Sequence, residues 1–340
     1  MRVTQQDIAR LADVSQATVS RVLAGDARVE DDKRDRVLRV IKQSNYRPDV
    51  RAQALRRRRT SLVGLVLKRP DGGLKDDPFY SALISEITAV LSKSHYHLCL
   101  DVAADSSSQT GVYDELLRTR RVDGLILVEP ETEDQRLHKL QDDRFPFVVI
   151  GNPRTSVMHS VDNDNVLAAR IATQHLVENG YRRIGFLGGP AGVAVSEDRV
   201  TGYRMVMAEH GLTPRVWTSD FGFASASAAS RPVLDSADRP DALVVLDDFM
   251  AMGVARTARQ LGLALPGDLG LVSFNDSSLC ELVDGGITSV NMNFEQLVQE
   301  SCRKLIQIIE SKVPPVPSRL VIPCALMSRG SSRRPLGVAR

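Results

Sequence analysis

The sequence predicts an α/β protein with a small all-α headpiece of helix-turn-helix type in front of two α/β lobes built from parallel βαβ units. Three observations carry this. Residues 1–60 hold 15 Lys and Arg against 8 Asp and Glu, a net of +7, whereas the remaining 280 hold 29 against 34, a net of −5. Apolar residues recur at helical spacing up to Pro48. Beyond residue 60, short apolar runs alternate with amphipathic helices, as in parallel sheets covered on both faces.

Within the headpiece, Thr4 stands three residues before Asp7, a variant of the capping box, and Ile8, Ala9, Leu11 and Ala12 follow as one apolar face. Asp13 occupies the turn, where a short carboxylate tolerates left-handed backbone better than most side chains. Ser15 caps a second helix, Gln16–Leu23, which Gly25 closes. A third helix runs over 31–44 with Val37, Leu38, Val40 and Ile41 inward. Arg56-Arg57-Arg58-Arg59 marks a charged linker. In the body, strands are expected at 62–67, 98–102, 125–128, 147–150, 184–187, 243–246 and 269–274, with helices between them that end at Gly180, Gly211 and Gly262. A chain of this length exceeds one compact sheet, so two lobes are expected, with a ligand cleft at the strand carboxyl ends.

Composition narrows the function. The chain is 43% hydrophobic and 25% charged, ordinary for globular proteins, with no apolar run of 18 residues. Its N-terminus lacks the apolar core of a signal peptide, so a cytoplasmic protein without membrane contact is expected. Four scattered cysteines (Cys99, Cys280, Cys302, Cys324) form no C-x-x-C pair and read as reduced thiols. His95-Tyr96-His97 has no acidic partner nearby, and Gly185–Pro190 is not a dinucleotide fingerprint, so no metal, no cofactor and no catalytic machinery are expected.

A basic head with two helices across a tight turn suggests DNA binding, although spacing alone also fits a small helical bundle with a polar surface. The second helix offers Gln16, Ala17, Thr18, Ser20 and Arg21; Gln suits adenine edges, Arg guanine, and Ala a thymine methyl.

The run Thr4-Gln5-Gln6-Asp7-Ile8-Ala9, continuing through Ser15-Gln16-Ala17-Thr18-Val19-Ser20-Arg21-Val22-Leu23 to Gly25, closely resembles the N-terminus of the LacI/GalR family of bacterial transcription regulators. The resemblance extends through Tyr46-Arg47-Pro48, Ala52-Gln53-Ala54-Leu55, Arg199-Val200-Thr201-Gly202-Tyr203, Asp248–Gly253, Val272–Asp276 and Met327–Ser331. It implies a headpiece over 1–47, a hinge helix and linker over 48–60, and a periplasmic-binding-protein-like effector core over 61–340. Lobe one would comprise 61–161 plus 291–320, and lobe two 162–290 plus 321–340. It implies a homodimer on a near-palindromic operator, contacted by Thr4, Ser15 and the second helix, by Ala52 and Arg56, and by Leu55 as a minor-groove wedge. It also implies a repressor of carbohydrate-utilisation genes released by a sugar-like effector held by Arg199, Asp247 and Asn275, with Phe223 stacking on the ligand and Phe79 and Tyr80 candidates to line the same cleft. Asp13, Ala24 and Asp49 depart from the family's usual glycine and asparagines and bear on affinity. Two alternatives are a sugar-binding protein without a DNA role and a regulator that tightens on DNA with a purine.

Overall fold

A computed structural model describes residues 3–23, 25–46, 59–69 and 77–334. The expected contacts of Ala52, Leu55 and Arg56, and the Ala24 and Asp49 departures, lie outside these. The chain divides into two compact units, 1–60 and 61–340.

The first unit holds α1 (Gln5–Leu11), α2 (Gln16–Leu23) and α3 (Asp31–Gln43). Thr4 caps α1 reciprocally: its hydroxyl accepts from the Asp7 amide at 3.3 Å, and its own amide donates to the Asp7 carboxylate at 3.0 Å. Asp13 turns the chain with φ 52°, and the Ser15 hydroxyl accepts from the Thr18 amide at 3.1 Å to start α2. Ile8, Ala9, Ala12, Val19, Val22, Val29, Val37 and Tyr46 form the core. Two expected core residues are outside it: Leu11 is 61% exposed and Leu38 48%. Each residue advances a helix by about 100°, so Leu38 points roughly that far from Val37, and Leu11 falls at the edge of the Ile8–Ala9–Ala12 stripe.

The second unit contains two six-stranded sheets. The first is built from β1 (Leu62–Lys68), β2 (His97–Ala103), β3 (Gly124–Val128), β4 (Phe147–Ile150), β5 (Ser160–Asn163) and β11 (Arg319–Ile322), in the order β11-β5-β4-β3-β1-β2 and parallel throughout. The second contains β6 (Ile184–Gly188), β7 (Arg215–Thr218), β8 (Ala242–Val245), β9 (Gly270–Phe274), β10 (Thr288–Asn291) and β12 (Ala325–Met327), in the order β12-β10-β9-β8-β6-β7. Only β12 runs antiparallel. The helices are α4 (Pro78–Lys93), α5 (Ser106–Thr119) and α6 (Gln135–Asp142) with the first sheet, then α7 (Asn165–Glu178), α8 (Ala194–Glu209), α9 (Phe223–Leu234) and α10 (Asp248–Gln260) with the second. The last, α11 (Phe294–Glu310), returns to the first sheet and packs against β3, β4 and β5.

Every strand expected from apolar runs forms. β5, β7, β10, β11 and β12 carried no such signal: Ser160-Val161-Asp162-Asn163 and Thr288-Ser289-Val290-Asn291 each have a single apolar residue, yet both segments are almost wholly buried as strands. The chain changes sheet after Asn163, Asn291 and Ile322, one or two residues beyond the points implied by resemblance. Helices α7 and α8 approach backbone to backbone, since a Cβ on Gly202 would lie 2.1 Å from the Val166 carbonyl. Gly253 does the same for α9 and α10 at 2.3 Å from the Phe223 carbonyl.

The three crossovers are clasped by one side chain. Asn163, buried at the end of β5, donates through Nδ2 to the Met292 carbonyl at 2.9 Å and to the Ile322 carbonyl at 3.0 Å. A second seam joins the lobes elsewhere. The Thr132 amide donates to Gly192 O at 2.8 Å, Ala194 N to Pro130 O at 3.0 Å, and Arg154 pairs with Asp198 at 2.6 Å.

Candidate functional site

In the headpiece, α2 turns Val19 and Val22 inward and leaves Gln16, Ala17 and Arg21 exposed. Thr18 and Ser20 are half-buried, and the Thr18 hydroxyl sits 2.9 Å from that of Ser15 within the cap. Three exposed side chains with distinct base preferences therefore share one helix face, while Thr4 and Ser15 act first as caps.

In the core, carboxyl ends of strands from both lobes come together: Arg69, next after β1, lies 5.7 Å from the ring centre of Phe221, which follows β7. Arg199, on α8, is 5% exposed and reaches the end of β8. Its Nε donates to Asn165 Oδ1 at 3.0 Å, its Nη1 donates to the Leu246 carbonyl, and its guanidinium lies 4.2 Å from the centre of the Phe274 ring. Nη2 has no intramolecular partner among the described residues. Burial pulls this guanidinium down to about 10, opposed by the nearby carboxylate of Asp247. Asn165 passes the network on, donating to Asp162 Oδ1 at 3.2 Å, and Arg319 pairs with Asp162 at 2.7 Å.

Asp247 caps α10, accepting the Met250 amide at 2.7 Å through one oxygen. Burial pushes its carboxyl up to about 7; the Met250 hydrogen bond opposes this, and the charges of Asp77 and Asp248 reinforce it. Asp77 belongs to lobe one, where it caps α4 by accepting the Phe79 amide at 3.0 Å, so carboxylates from both lobes converge. Asp248 turns the other way and is satisfied by Ser289 Oγ at 2.8 Å and by the Ser277 amide and hydroxyl at 2.7 and 2.9 Å. Of this pair only the first residue keeps an oxygen without a hydrogen-bond partner among the described residues. Asn275 follows β9 with φ 100°, its amide donating to the Val290 carbonyl at 2.9 Å, and its side-chain amide has no partner among the described residues. Backbone held in this region costs about 1–3 kcal/mol and concentrates at ligand sites. Asp276 is engaged with Arg329 at 2.7 Å and Asn291 at 2.9 Å.

The aromatic candidates fare differently. Tyr80 is 1% exposed, with its hydroxyl donating to Glu129 and its ring under the Arg69 guanidinium. Phe79 is half-buried, edge-on to Phe294 at 5.3 Å. Phe223 opens α9 and packs beside Phe249 at 6.1 Å and Arg256 at 5.4 Å. The ring that faces lobe one is Phe221: the Arg69 guanidinium lies 5.7 Å from its centre and 3.9 Å from that of Tyr80. Arg69 is held by Glu129 through two contacts at 2.7 and 3.1 Å. Phe221 and Phe223 flank Gly222, and nothing in their local spacing tells them apart. Arg69 carries no sequence signal either; Asp77 had one, as an aspartate directly before the Pro78 that opens a helix.

The pH dependence of Asp247 is testable. Its folded value of about 7 exceeds its unfolded value of 3.8, so the folded state holds the proton more tightly. The resulting stability is present below about pH 4 and is lost as pH rises toward 7. Between pH 5 and 7 wild type should lose about 2 kcal/mol relative to Asp247→Asn, which keeps a cap but does not titrate. Denaturant unfolding at pH 5, 6, 7 and 8 checks this; parallel curves for the two proteins would contradict it.

Among the described residues all four cysteines are free thiols, Cys280 and Cys302 buried and Cys99 and Cys324 half-buried. No helix there is long and apolar enough to cross a membrane. Among the described residues no group of three or more His, Cys, Asp or Glu is placed to hold a metal.

Residues 4–49 match the model of bacterial regulatory proteins of the lacI family, and 173–332 match that of a periplasmic binding protein-like domain. The HTH-type transcriptional regulator CelR of Thermobifida fusca is 32% identical over 97% of this chain and 98% of its own length. The chain belongs to the LacI family. It is a DNA-binding transcriptional regulator. Catabolite control protein A of Staphylococcus xylosus, another relative of this LacI-family chain, is 29% identical over 98% of the chain and all of its own length. Among solved structures, a complex of the transcriptional regulator CelR with cellobiose superposes with a TM-score of 0.74 at 31% identity, covering 97% of this chain and 100% of that one. A lac repressor dimer bound to operator and an anti-inducer shares the fold, with a TM-score of 0.86 at 23% identity over 98% of this chain and 99% of that one.

Proposed function

We propose that this LacI-family regulator is a cytoplasmic, non-enzymatic homodimeric repressor that holds a near-palindromic operator and is released by a neutral saccharide bound between the lobes. The observation that carries the effector reading is the donor and acceptor set at the strand ends. Arg199 Nη2 donates, the second oxygen of Asp247 accepts, and the Asn275 amide does either, beside the apolar face of Phe221. Hydroxyl groups on a ring with an apolar face match this set. Phe221 takes the stacking role first expected of Phe223. The related regulator seen with cellobiose makes a cello-disaccharide the first ligand to test. No metal or cofactor has a part in this reading.

Fluorescence anisotropy of an operator duplex, titrated with cellobiose and other neutral saccharides, tests release; no response to any saccharide would overturn the effector class. Phe221→Ala should weaken the response by about tenfold or more, the loss of one buried aromatic contact of roughly 1.5 kcal/mol, while Phe223→Ala leaves it within a few-fold. The reverse order would restore Phe223 to the cleft. On the DNA side, Arg21→Ala should cost about 1–3 kcal/mol at the operator and relax preference at one base position. An unchanged base preference would reduce Arg21 to a phosphate contact.

A further inference from the structure

Helix α8, which carries Arg199, starts without a side-chain cap of its own. Val193 stands at its N-cap position and has no group that can accept a hydrogen bond. The first amides of a helix need acceptors from outside it, and lobe one supplies one here. The Ala194 amide donates to the Pro130 carbonyl at 3.0 Å, and the Thr132 amide donates to the Gly192 carbonyl at 2.8 Å. These two bonds flank Glu131 and Val193, which face each other as an antiparallel bridge between the lobes. The Thr132 hydroxyl adds a contact of 2.9 Å to Glu197.

A second grip lies one turn along the helix. Asp198, 6% exposed and directly before Arg199, accepts from Asn152 Nδ2 at 3.2 Å and from Arg154 Nη1 at 2.6 Å. Both donors belong to the turn that follows β4 in lobe one. That turn is braced: Gly151 has φ 118°, Arg154 has φ 59°, and Asn152 Oδ1 accepts the Arg154 amide at 3.0 Å. Left-handed backbone at an arginine is uncommon, and here it accompanies two side chains directed at one buried carboxylate. Arg154 Nη2 also donates to the Ala194 carbonyl at 3.3 Å. Parting the lobes along this line would take both donors from Asp198 and the Pro130 acceptor from α8 together. A carboxylate that loses its donors must find water, so the made and released states are distinct.

We propose that Asn152 and Arg154 are positioning residues for the effector site. Through Asp198 they hold α8, and with it Arg199, against lobe one, and a saccharide enters or leaves only while this grip and the Glu131–Val193 bridge are released. The proposal rests on the reading of the effector as a saccharide held between the lobes.

The test uses the full chain with labelled cellobiose as the probe. Facing residues in a bridge flanked by two such bonds have Cα atoms about 4.5 Å apart, within reach of a disulfide. E131C/V193C loaded with cellobiose while reduced, then oxidised and diluted, should hold the label at least about a hundredfold longer than the reduced protein, and reductant should free it. Wild type taken through the same oxidation should keep its release rate. Arg154→Met should speed release about tenfold, the equivalent of one charge-assisted hydrogen bond, while Arg154→Lys stays within about threefold. Without ligand, amide hydrogen exchange over 130–134 and 192–196 should rise about tenfold in Arg154→Met and stay unchanged in β8. Label that escapes the oxidised and reduced double-cysteine proteins equally fast overturns the proposal. Equal acceleration of exchange in β8 also overturns it, because Arg154 would then serve overall stability. If wild type takes up no cellobiose, the saccharide reading fails for that probe and amide exchange judges the grip. Protection over 130–134 and 192–196 that Arg154→Met removes upholds it, and fast exchange there in wild type overturns it.

Discussion

Arg199→Met is expected to weaken effector binding by about tenfold to hundredfold while leaving operator affinity without effector within a few-fold. The substitution keeps an apolar stem against Phe274 but removes every donor. One charge-assisted hydrogen bond to a ligand hydroxyl is worth roughly 1.5–3 kcal/mol. Inside the protein, the Leu246 carbonyl and Asn165 Oδ1 lose their donor, each at a cost of about 1–3 kcal/mol, partly offset because a buried cation no longer has to be desolvated. The variant should therefore unfold at lower denaturant as well as respond poorly. Two measurements separate the effects: calorimetric titration with the best saccharide, and denaturant unfolding without it. Wild-type affinity in the variant would show that Arg199 only braces the cleft. The regulatory consequence is bounded, since a ligand shifts DNA release by no more than its difference in affinity for the two lobe arrangements.

Asn163→Ala is expected to destabilise the core by about 2–5 kcal/mol, because it strands the Met292 and Ile322 carbonyls in the interior without their shared donor. Asn163→Asp should be at least as damaging, since it sets carboxylate oxygens against both carbonyls. The two carbonyls lie on the second and third strands of chain that cross between lobes, so the loss loosens the junction about which the lobes would move. Effector response should change with stability, because the energy separating lobe arrangements is set partly at this junction. Denaturant unfolding of the core, monitored alongside the saccharide titration, checks both. A loss below about 1 kcal/mol would mean that water replaces the amide.

Much was legible in the residues alone. The charge split between head and body, the Thr4–Asp7 and Ser15–Thr18 caps, the turn at Asp13 and the strands of continuous apolar character are local properties. Each depends on backbone preferences or on burial of a whole segment, and each formed as read. The family likewise followed from collinear motifs, and with it the positions of Asp247 and Asn275 just beyond β8 and β9, whereas Arg199 lies on helix α8. Tertiary structure decided what spacing cannot encode. Leu11 and Leu38 are exposed because three helices leave only one stripe of each covered. β5 and β10 are strands because neighbouring chains supply hydrogen-bond partners to segments too polar to announce themselves. Phe221 rather than Phe223 faces Arg69 because Gly222, at φ 115°, turns the chain between them, and the partner that distinguishes the two rings lies in the other lobe. Asn163 became a clasp only when two chain segments, 129 and 159 residues away, came back to the same buried point. Side-chain chemistry was written in the sequence; which groups met, and so which carboxylate lost its solvent and which arginine found a ring, required the fold.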